Sequence, residues 1–229
     1  FWDIARRLFY PVASLVTINS ISGLNYLRNF VPAKKLVYVQ NPIIPFEVQK
    51  KVDTNIKFML SVGRLTHQKG IDILLKAFAK FSKENSSWKL VIIGKGDLEE
   101  ELKKLSIKLG IENKINWVGE INNPYEYYST ANIFILSSRY EGTSNALLEA
   151  MNSEIPAIVS DTSSGCLDYL ENEKNGIIVP GNDSESLAKA MVRLASDSQL
   201  RVRLGKEARI KVANNNITQV LIEWEKIVG

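Results

Sequence analysis

The sequence has little with which to cross-link itself or to enter a membrane. Of its 229 residues, one is cysteine and one is histidine. The single cysteine, Cys166, excludes an internal disulfide and fits a reducing compartment. No apolar run approaches the roughly 18 residues that a membrane-spanning helix needs, and no signal peptide is evident. We therefore expect a cytoplasmic protein.

Strong charge of one sign is also absent. The chain has 29 basic and 25 acidic residues, which leaves a formal net charge of +4. This mild excess permits weak attraction to anionic substrates or membrane surfaces, but it is not the basic stripe of a nucleic-acid-binding protein. The sequence has no Asp-x-Asp motif and no cluster of His and Cys. We therefore predict no metal site and expect no nucleic-acid partner.

From residue 57 onward, apolar strand patterns alternate with helical patterns. The alternation predicts an α/β fold with a Rossmann-like, doubly wound parallel sheet that carries helices on both faces. Asp97 is predicted to cap the helix that begins at Leu98, and Gly110 is predicted to end it. Two or three closing helices are expected in 183–228. The strands are expected near 57–62, 88–93, 115–118, 132–137, 156–160 and 176–179.

The first forty or so residues predict the end of a different domain. The segment 41–45 predicts a stiff linker, because each proline restricts itself and the residue before it. Since the chain begins with Phe1 and not with Met, we expect it to be a fragment. The elements expected before the linker are a helix in 1–14 broken at Pro11, strands at 15–19 and 36–39, and a short helix at 22–30.

The most informative stretch is 141–149, with the sequence EGTSNALLE. It follows a buried-strand pattern and leads into a helical pattern, so Glu141 is predicted in the turn and Glu149 about one and a half turns into the helix. The free N–H groups at a helix start favour a bound anion. Two carboxylates beside such a site suggest a ligand with both phosphate and hydroxyls, such as a nucleotide sugar. A surface helix with solvated Glu residues is the alternative.

A second strand, turn and helix pattern places two cations in its turn. Arg64 and Lys69 follow the strand pattern 58–63, and Gly63 and Gly70 relax the backbone around them. Arg grips two phosphate oxygens with its planar fork, and Lys adds a compact charge. Ligands bind at the carboxyl ends of strands in open α/β sheets, and two turns suited to phosphate at that end of parallel strands favour a binding site there. An exposed basic loop is the alternative.

The Gly-Arg-Leu…Gln-Lys-Gly block and the Glu-x7-Glu block, in this order and spacing, resemble the C-terminal domain of retaining GT-B glycosyltransferases. The most similar group is the family-4 set, with many bacterial polysaccharide and glycolipid enzymes. The resemblance runs from about Val12 to the C terminus. It implies the end of an N-terminal acceptor domain and a linker (1–45), a nucleotide-sugar-binding domain (46–212) and a helix that crosses back (213–229). Further matching blocks are Ile92–Asp97, Asn116–Gly119 and Asn175–Pro180.

The resemblance implies a retaining transfer of a hexose or N-acetylhexosamine from a nucleoside diphosphate sugar, with UDP as the expected nucleotide. The acceptor would be a hydroxyl of a glycan or a lipid-linked molecule, in surface polysaccharide, lipopolysaccharide or glycolipid synthesis. No metal and no cofactor is implied. A peripheral contact with the inner face of the membrane would be made through the missing N-terminal domain.

The resemblance also implies a role for each site residue. Arg64 and Lys69 match the cations that bind the donor diphosphate, and Glu149 matches the residue that binds the ribose hydroxyls. Glu141 matches a catalytic residue near the donor sugar, where stabilisation of positive charge and simple positioning both stay open. Ile121 matches a nucleobase contact. The predicted donor-binding residues are Gly63, Arg64, Lys69, Ile121, Glu141, Gly142, Thr143, Ser144, Asn145, Leu147 and Glu149.

The sequence departs from the family pattern in two places. Glu154 replaces a usual small residue, and 165–168 is Gly-Cys-Leu-Asp where Gly-x-x-Glu is usual, which leaves the contacts of that loop open. His67, the one histidine, is expected to be incidental. The alternative functions are a nucleotide-sugar-binding half or partner-dependent subunit without its own activity, and a GT-B phosphorylase or epimerase. No pyridoxal phosphate motif is found, and the missing Gly-x-Gly-x-x-Gly argues against a dehydrogenase.

Overall fold

The computed structural model describes residues 2–44, 56–162 and 164–229, so the predicted linker 41–45 lies partly outside the described residues. The described N-terminal part confirms the expected order of helix, strand, helix and strand. A 3-10 turn that contains Pro11 follows the first helix, as predicted. The two strands are parallel. The elements are α1 (Trp2–Phe9), β1 (Val16–Ile18), α2 (Ile21–Leu27) and β2 (Leu36–Tyr38).

The larger part of the chain is built on a sheet of six strands, all parallel, in the order β5-β4-β3-β6-β7-β8. Every strand lies where the apolar patterns predict one. The doubly wound α/β prediction is therefore confirmed. The strands are β3 (Phe58–Val62), β4 (Lys89–Ile93), β5 (Ile115–Gly119), β6 (Ile133–Leu136), β7 (Ala157–Ser160) and β8 (Ile177–Val179).

Helices cover both faces of this sheet. Met59 and Leu60 are neighbours on β3 and are both fully buried, yet they belong to separate apolar cores, because successive strand residues face opposite sides. Helices α3, α4 and α7 pack on the first core, α5 and α6 on the second, and α8 on both. The helices are α3 (Ile71–Phe81), α4 (Glu99–Lys108), α5 (Tyr125–Thr130), α6 (Asn145–Asn152), α7 (Ser184–Ser196), α8 (Ser198–Val212) and α9 (Ile217–Val228).

The capping prediction for α4 is wrong. Leu98 occupies the N-cap position and no side chain caps the helix, so Asp97 does not act as a cap. Backbone carbonyls take over this role: the Leu98 N–H donates to the Leu65 carbonyl over 3.1 Å, and the Glu99 N–H donates to Gly96 over 3.1 Å. The tertiary contact with the turn after β3 replaces the local cap. Gly110 does follow the helix in the left-handed conformation, as predicted.

The strand order reverses between β3 and β6, which places a crevice outside their carboxyl ends. After β3 the chain leaves towards β4, and after β6 it leaves towards β7, so the turns that follow these two strands lie side by side. The Arg139 N–H donates to the Gln68 carbonyl over 2.7 Å and joins the two turns. The two turns that the sequence predicts to bind phosphate, after β3 and after β6, therefore lie at this switch point.

Glycine permits the close packing of these turns. Gly70 has φ +61°, and a Cβ added there would lie 2.2 Å from the Ser137 carbonyl oxygen, at the end of β6. A Cβ on Gly94 would lie 2.1 Å from the Gly63 carbonyl oxygen. Real Cβ atoms do not approach a carbonyl so closely, and φ in this range is unfavourable for other residues. Gly70 therefore lets the turns after β3 and β6 meet, and Gly94 lets the turn after β4 approach the turn after β3.

We predict that Gly70→Ala costs roughly 3 kcal/mol of unfolding free energy, because it combines left-handed strain with a backbone clash. Gly110→Ala is the matched control, since Gly110 has φ +69° but no atom within 4 Å of an added Cβ. The control should lose only about 1 kcal/mol. Urea unfolding of both variants measures the difference, and equal losses would show that the close approach to Ser137 has no energetic consequence.

Candidate functional site

An ion pair between Lys69 and Glu141 links the turn after β3 to the loop after β6. Only 13% of the Lys69 side chain and 12% of the Glu141 side chain are exposed. The Ser138 hydroxyl donates to the same Glu141 oxygen, Oε2, over 3.2 Å. Because an unpaired charge at this depth would be costly, the two side chains hold each other in place. Two residues that the sequence predicts to be catalytic are thus in direct contact.

A second ion pair fixes the relative position of the same two turns. Arg139 donates to both carboxylate oxygens of Asp72, over 2.9 and 2.8 Å, and also to the His67 carbonyl over 2.8 Å. Burial alone would raise the pKa of Asp72, but the hydrogen bonds and charge of Arg139 outweigh burial and lower it. Bidentate pairs of this kind restrict geometry strongly. The sequence analysis did not identify Arg139 or Asp72 as residues of the site, and it did not predict a role for the His67 carbonyl.

Arg64, unlike Lys69, does not take part in an ion pair with any described residue. Its side chain is exposed, and within the described residues it has no ion pair and no hydrogen bond. Gly63, which precedes it, lies against the Lys69 stem, since a Cβ added there would be 3.2 Å from Lys69 Cε. The turn therefore presents one cation that is already paired and one that is open to a ligand.

The loop that starts α6 supplies backbone donors. Ser144 is the N-cap residue, and it makes no side-chain cap. The N–H groups of Asn145 and Ala146 have no acceptor among the described residues, as is usual for a first helical turn. Gly142 is exposed beside them. These N–H groups and the positive end of the helix dipole suit a phosphate oxygen.

Two side chains of this loop contact the N-terminal part of the chain. The Thr143 hydroxyl donates to the Asn19 carbonyl over 2.6 Å. Asn41 Nδ2 donates to Asn145 Oδ1 over 2.7 Å. The sequence predicted Thr143 and Asn145 as phosphate ligands, and it contained no indication of these contacts with residues more than a hundred positions away.

Glu149 lies half-buried one turn further along α6. Burial raises the pKa of its carboxyl, and the Tyr128 hydroxyl, which favours the ionised form, offsets part of this effect. Leu147 is fully buried in the core, and its N–H bonds to the Ser144 carbonyl over 3.1 Å, so its side chain packs the helix instead of lining the turn. Ile121 follows β5 at the same edge of the sheet and is partly exposed.

The loop 165–168, where the sequence departs from the family pattern, contacts both the loop after β6 and the N-terminal part of the chain. The Cys166 thiol donates to the Gly142 carbonyl over 3.2 Å, and burial raises the pKa of this thiol to about 12. Asp168 accepts from the Ile21 N–H over 2.7 Å, at the start of α2. Cys166 is thus a protonated packing residue, and Asp168 attaches the loop to the N-terminal part.

Across 2–44, 56–162 and 164–229, no three His, Cys, Asp or Glu side chains are grouped as metal ligands. Over the same ranges, no helix has the length and apolar character needed to cross a bilayer. The absence of a required metal stays a prediction.

The family model for glycosyl transferases group 1 matches residues 44–211. An uncharacterised glycosyltransferase of Haemophilus influenzae is 30% identical over 93% of this chain and 60% of its own length. A Campylobacter jejuni protein named as an N-acetylgalactosamine-N,N'-diacetylbacillosaminyl-diphospho-undecaprenol 4-alpha-N-acetylgalactosaminyltransferase is 31% identical over 89% of this chain and 57% of its own length. The chain therefore spans about three fifths of the relatives it matches.

Solved structures show the same fold. Staphylococcus aureus TarM, crystallised with UDP and alpha-GlcNAc-glycerol, has a TM-score of 0.87 at 18% identity over 98% of this chain and 46% of its own. Anabaena HepE, crystallised with UDP and glucose, has a TM-score of 0.84 at 18% identity over 99% and 66%. These neighbours are GT-B enzymes, which confirms the predicted fold family.

We predict that Glu149→Gln raises the free energy of unfolding at pH 7 by roughly 1 kcal/mol. Since the folded-state pKa of Glu149 is raised, its ionisation costs stability as pH rises through the carboxyl range, and the amide avoids this cost. Parent and variant should become equally stable near about pH 3. Chemical unfolding at both pH values measures this, with exposed Glu84→Gln as the control. A less stable Glu149→Gln protein at pH 7 would contradict the burial effect.

Proposed function

The chain belongs to the glycosyl transferases group 1 family, and on that premise we propose that it is the donor-binding part of a retaining glycosyltransferase. It would bind a nucleoside diphosphate sugar and place the sugar for transfer to an acceptor hydroxyl. The observation that carries this proposal is the Lys69–Glu141 pair, with exposed Arg64 beside it, at the switch point between β3 and β6.

The diphosphate would lie between the two turns. Arg64 offers an exposed guanidinium fork, Lys69 a fixed charge, and the start of α6 N–H groups that have no acceptor among the described residues. Charge develops on the leaving diphosphate in the transition state, and preorganised donors there lower the barrier without reorganising. The proposed transfer accordingly uses protein cations and amides, and needs no metal.

The nucleoside would occupy the far end of the crevice. A Glu149 carboxylate can accept hydrogen bonds from both ribose hydroxyls at once, and its half-buried position restricts its rotamers. Burial removes water from the Glu149 carboxylate and so opposes its ionisation. Hydrogen bonds from the ribose hydroxyls would replace that lost hydration, so binding would favour the ionised carboxylate. Ile121, partly exposed after β5, is proposed to contact the base.

The sugar would lie beside Glu141. This carboxylate is paired with Lys69 and hydrogen-bonded by Ser138, so we assign it a positioning and electrostatic role and not that of a nucleophile. In the proposed step the bond from sugar C1 to the phosphate oxygen breaks and a bond from C1 to the acceptor oxygen forms on the same face. This same-face replacement preserves the anomeric configuration, and the acceptor proton passes to the leaving phosphate.

The substrates are proposed from the relatives. The Campylobacter jejuni relative is named for transfer of N-acetylgalactosamine to a diphospho-undecaprenol acceptor, and the TarM and HepE crystals contain UDP. We propose a UDP-hexose or UDP-N-acetylhexosamine as donor and a glycan or lipid-linked hydroxyl as acceptor, in surface polysaccharide or glycolipid synthesis. A nucleotide-sugar-binding subunit that transfers nothing is the second candidate.

We predict that Arg64→Ala weakens UDP binding by roughly 1.5–3 kcal/mol, the usual value for a hydrogen bond to a charged group. Stability should stay unchanged, because the Arg64 side chain is exposed and pairs with no residue that the structure describes. Lys69→Ala should weaken both UDP binding and stability, since it leaves the largely buried Glu141 carboxylate without this partner. Calorimetric titration and urea unfolding measure the two effects.

Lys108→Ala is the matched control for these variants, because Lys108 is an exposed cation at the far end of α4. It should bind UDP like the parent. If Arg64→Ala also binds like the parent, the diphosphate assignment is wrong. Titration with magnesium and then with EDTA tests the metal-free proposal, and binding without sugar transfer by the complete protein would favour the second candidate.

A further inference from the structure

Three asparagine side chains form a relay between the N-terminal part and the start of α6. Asn19 Nδ2 donates to Asn41 Oδ1 over 2.9 Å, and Asn41 Nδ2 donates to Asn145 Oδ1 over 2.7 Å. Thr143 closes a ring, since its hydroxyl donates to the Asn19 backbone carbonyl over 2.6 Å. Two residues of the loop that starts α6 are thus held by two residues that follow β1 and β2.

The relay has a single direction. Asn19 and Asn41 each donate through the NH2 group, and Asn41 and Asn145 each accept through the carbonyl. The Asn145 NH2 group is then the end of the chain of amides, and it has no acceptor among the described residues. Hydrogen-bonded amides in series polarise one another, so the last NH2 group becomes a better donor.

Asn215, which follows α8, also holds the relay in place. The Ile43 N–H donates to the Asn215 carbonyl over 2.7 Å, and Asn215 Nδ2 donates to the Asn41 carbonyl over 3.3 Å. Asn215 is buried, with 2% of its surface exposed. The backbone from the Asn41 carbonyl to Ile43 is therefore held by Asn215, which limits how far the Asn41 amide can turn.

We propose that Asn19 and Asn41 are positioning residues for the donor site. They hold the Asn145 amide with its carbonyl bonded to Asn41 and its NH2 group available to a phosphate oxygen of the nucleoside diphosphate. This inference rests on the proposed function, whose site is defined independently by Lys69, Glu141 and Arg64. It predicts that Asn19 and Asn41, which are not proposed to bind the diphosphate themselves, control the affinity for phosphate and not the affinity for the nucleoside.

The test compares UDP with uridine by calorimetric titration of the full chain and three variants. Asn41→Ala breaks the relay in the middle. Asn19→Ala is milder, because it removes the amide donor and keeps the backbone carbonyl that accepts from Thr143. Gln40→Ala is the matched control, as Gln40 is a neighbour of similar burial whose side chain makes no hydrogen bond with a described residue.

We expect Asn41→Ala to weaken UDP binding about tenfold and Asn19→Ala about threefold, typical of losing one oriented hydrogen bond to an anion. Uridine affinity should stay within about twofold of the parent in both. A purely structural role would lower the affinities for UDP and uridine together. Gln40→Ala should behave like the parent with both ligands.

Side-chain amide NMR of the nucleotide-free chain keeps the inference separate from the proposed function. The Asn145 NH2 resonances should shift in Asn41→Ala and stay in place in Gln40→Ala. Unchanged resonances, or UDP affinity equal to that of the parent, would overturn the relay. If the parent chain binds no nucleoside diphosphate, the proposed donor site is wrong and the relay loses its ligand. If the parent binds UDP and Asn41→Ala binds it equally well, only the relay is wrong.

Discussion

The largely buried ion pair between Lys69 and Glu141 is the constraint on which the proposed site depends. Two charges at this depth are tolerable only as a pair, and the pair forms only if the turns after β3 and β6 meet. Gly70 permits that approach, and Arg139 with Asp72 prevents the turns from separating. The strand order is the underlying cause, because it sends the chain away in opposite directions at this point and leaves a crevice.

The site uses interactions that do not maximise stability. Glu149 is half-buried although burial disfavours its charge, and the exposed Arg64 side chain has no partner in the part of the chain that the structure describes. The first N–H groups of α6 have no side-chain cap. Each of these groups would gain from a ligand with phosphates and hydroxyls. Groups left incomplete in this way, gathered at one end of a well-packed sheet, are typical of a binding site on a rigid scaffold.

Much of this arrangement was predictable, because it follows from local pattern and strand direction. The strand patterns locate the sheet, and parallel strands bring Arg64, Lys69 and Glu141 to one edge. The remainder depends on pairs far apart in the chain. Arg139 and Asp72 are separated by 67 positions, and Asn41 and Asn145 by 104. In a sequence such residues look like ordinary surface polar groups, since nothing in their local pattern identifies a partner.

Amide NMR of the labelled chain during a UDP titration, with EDTA present, tests the central claim most directly. The account predicts saturable shifts confined to the turns at 63–70 and 119–121 and to the loop and helix start at 141–149, which together surround the switch point. Shifts centred elsewhere on the chain, or none at saturating UDP, would contradict a donor site between β3 and β6.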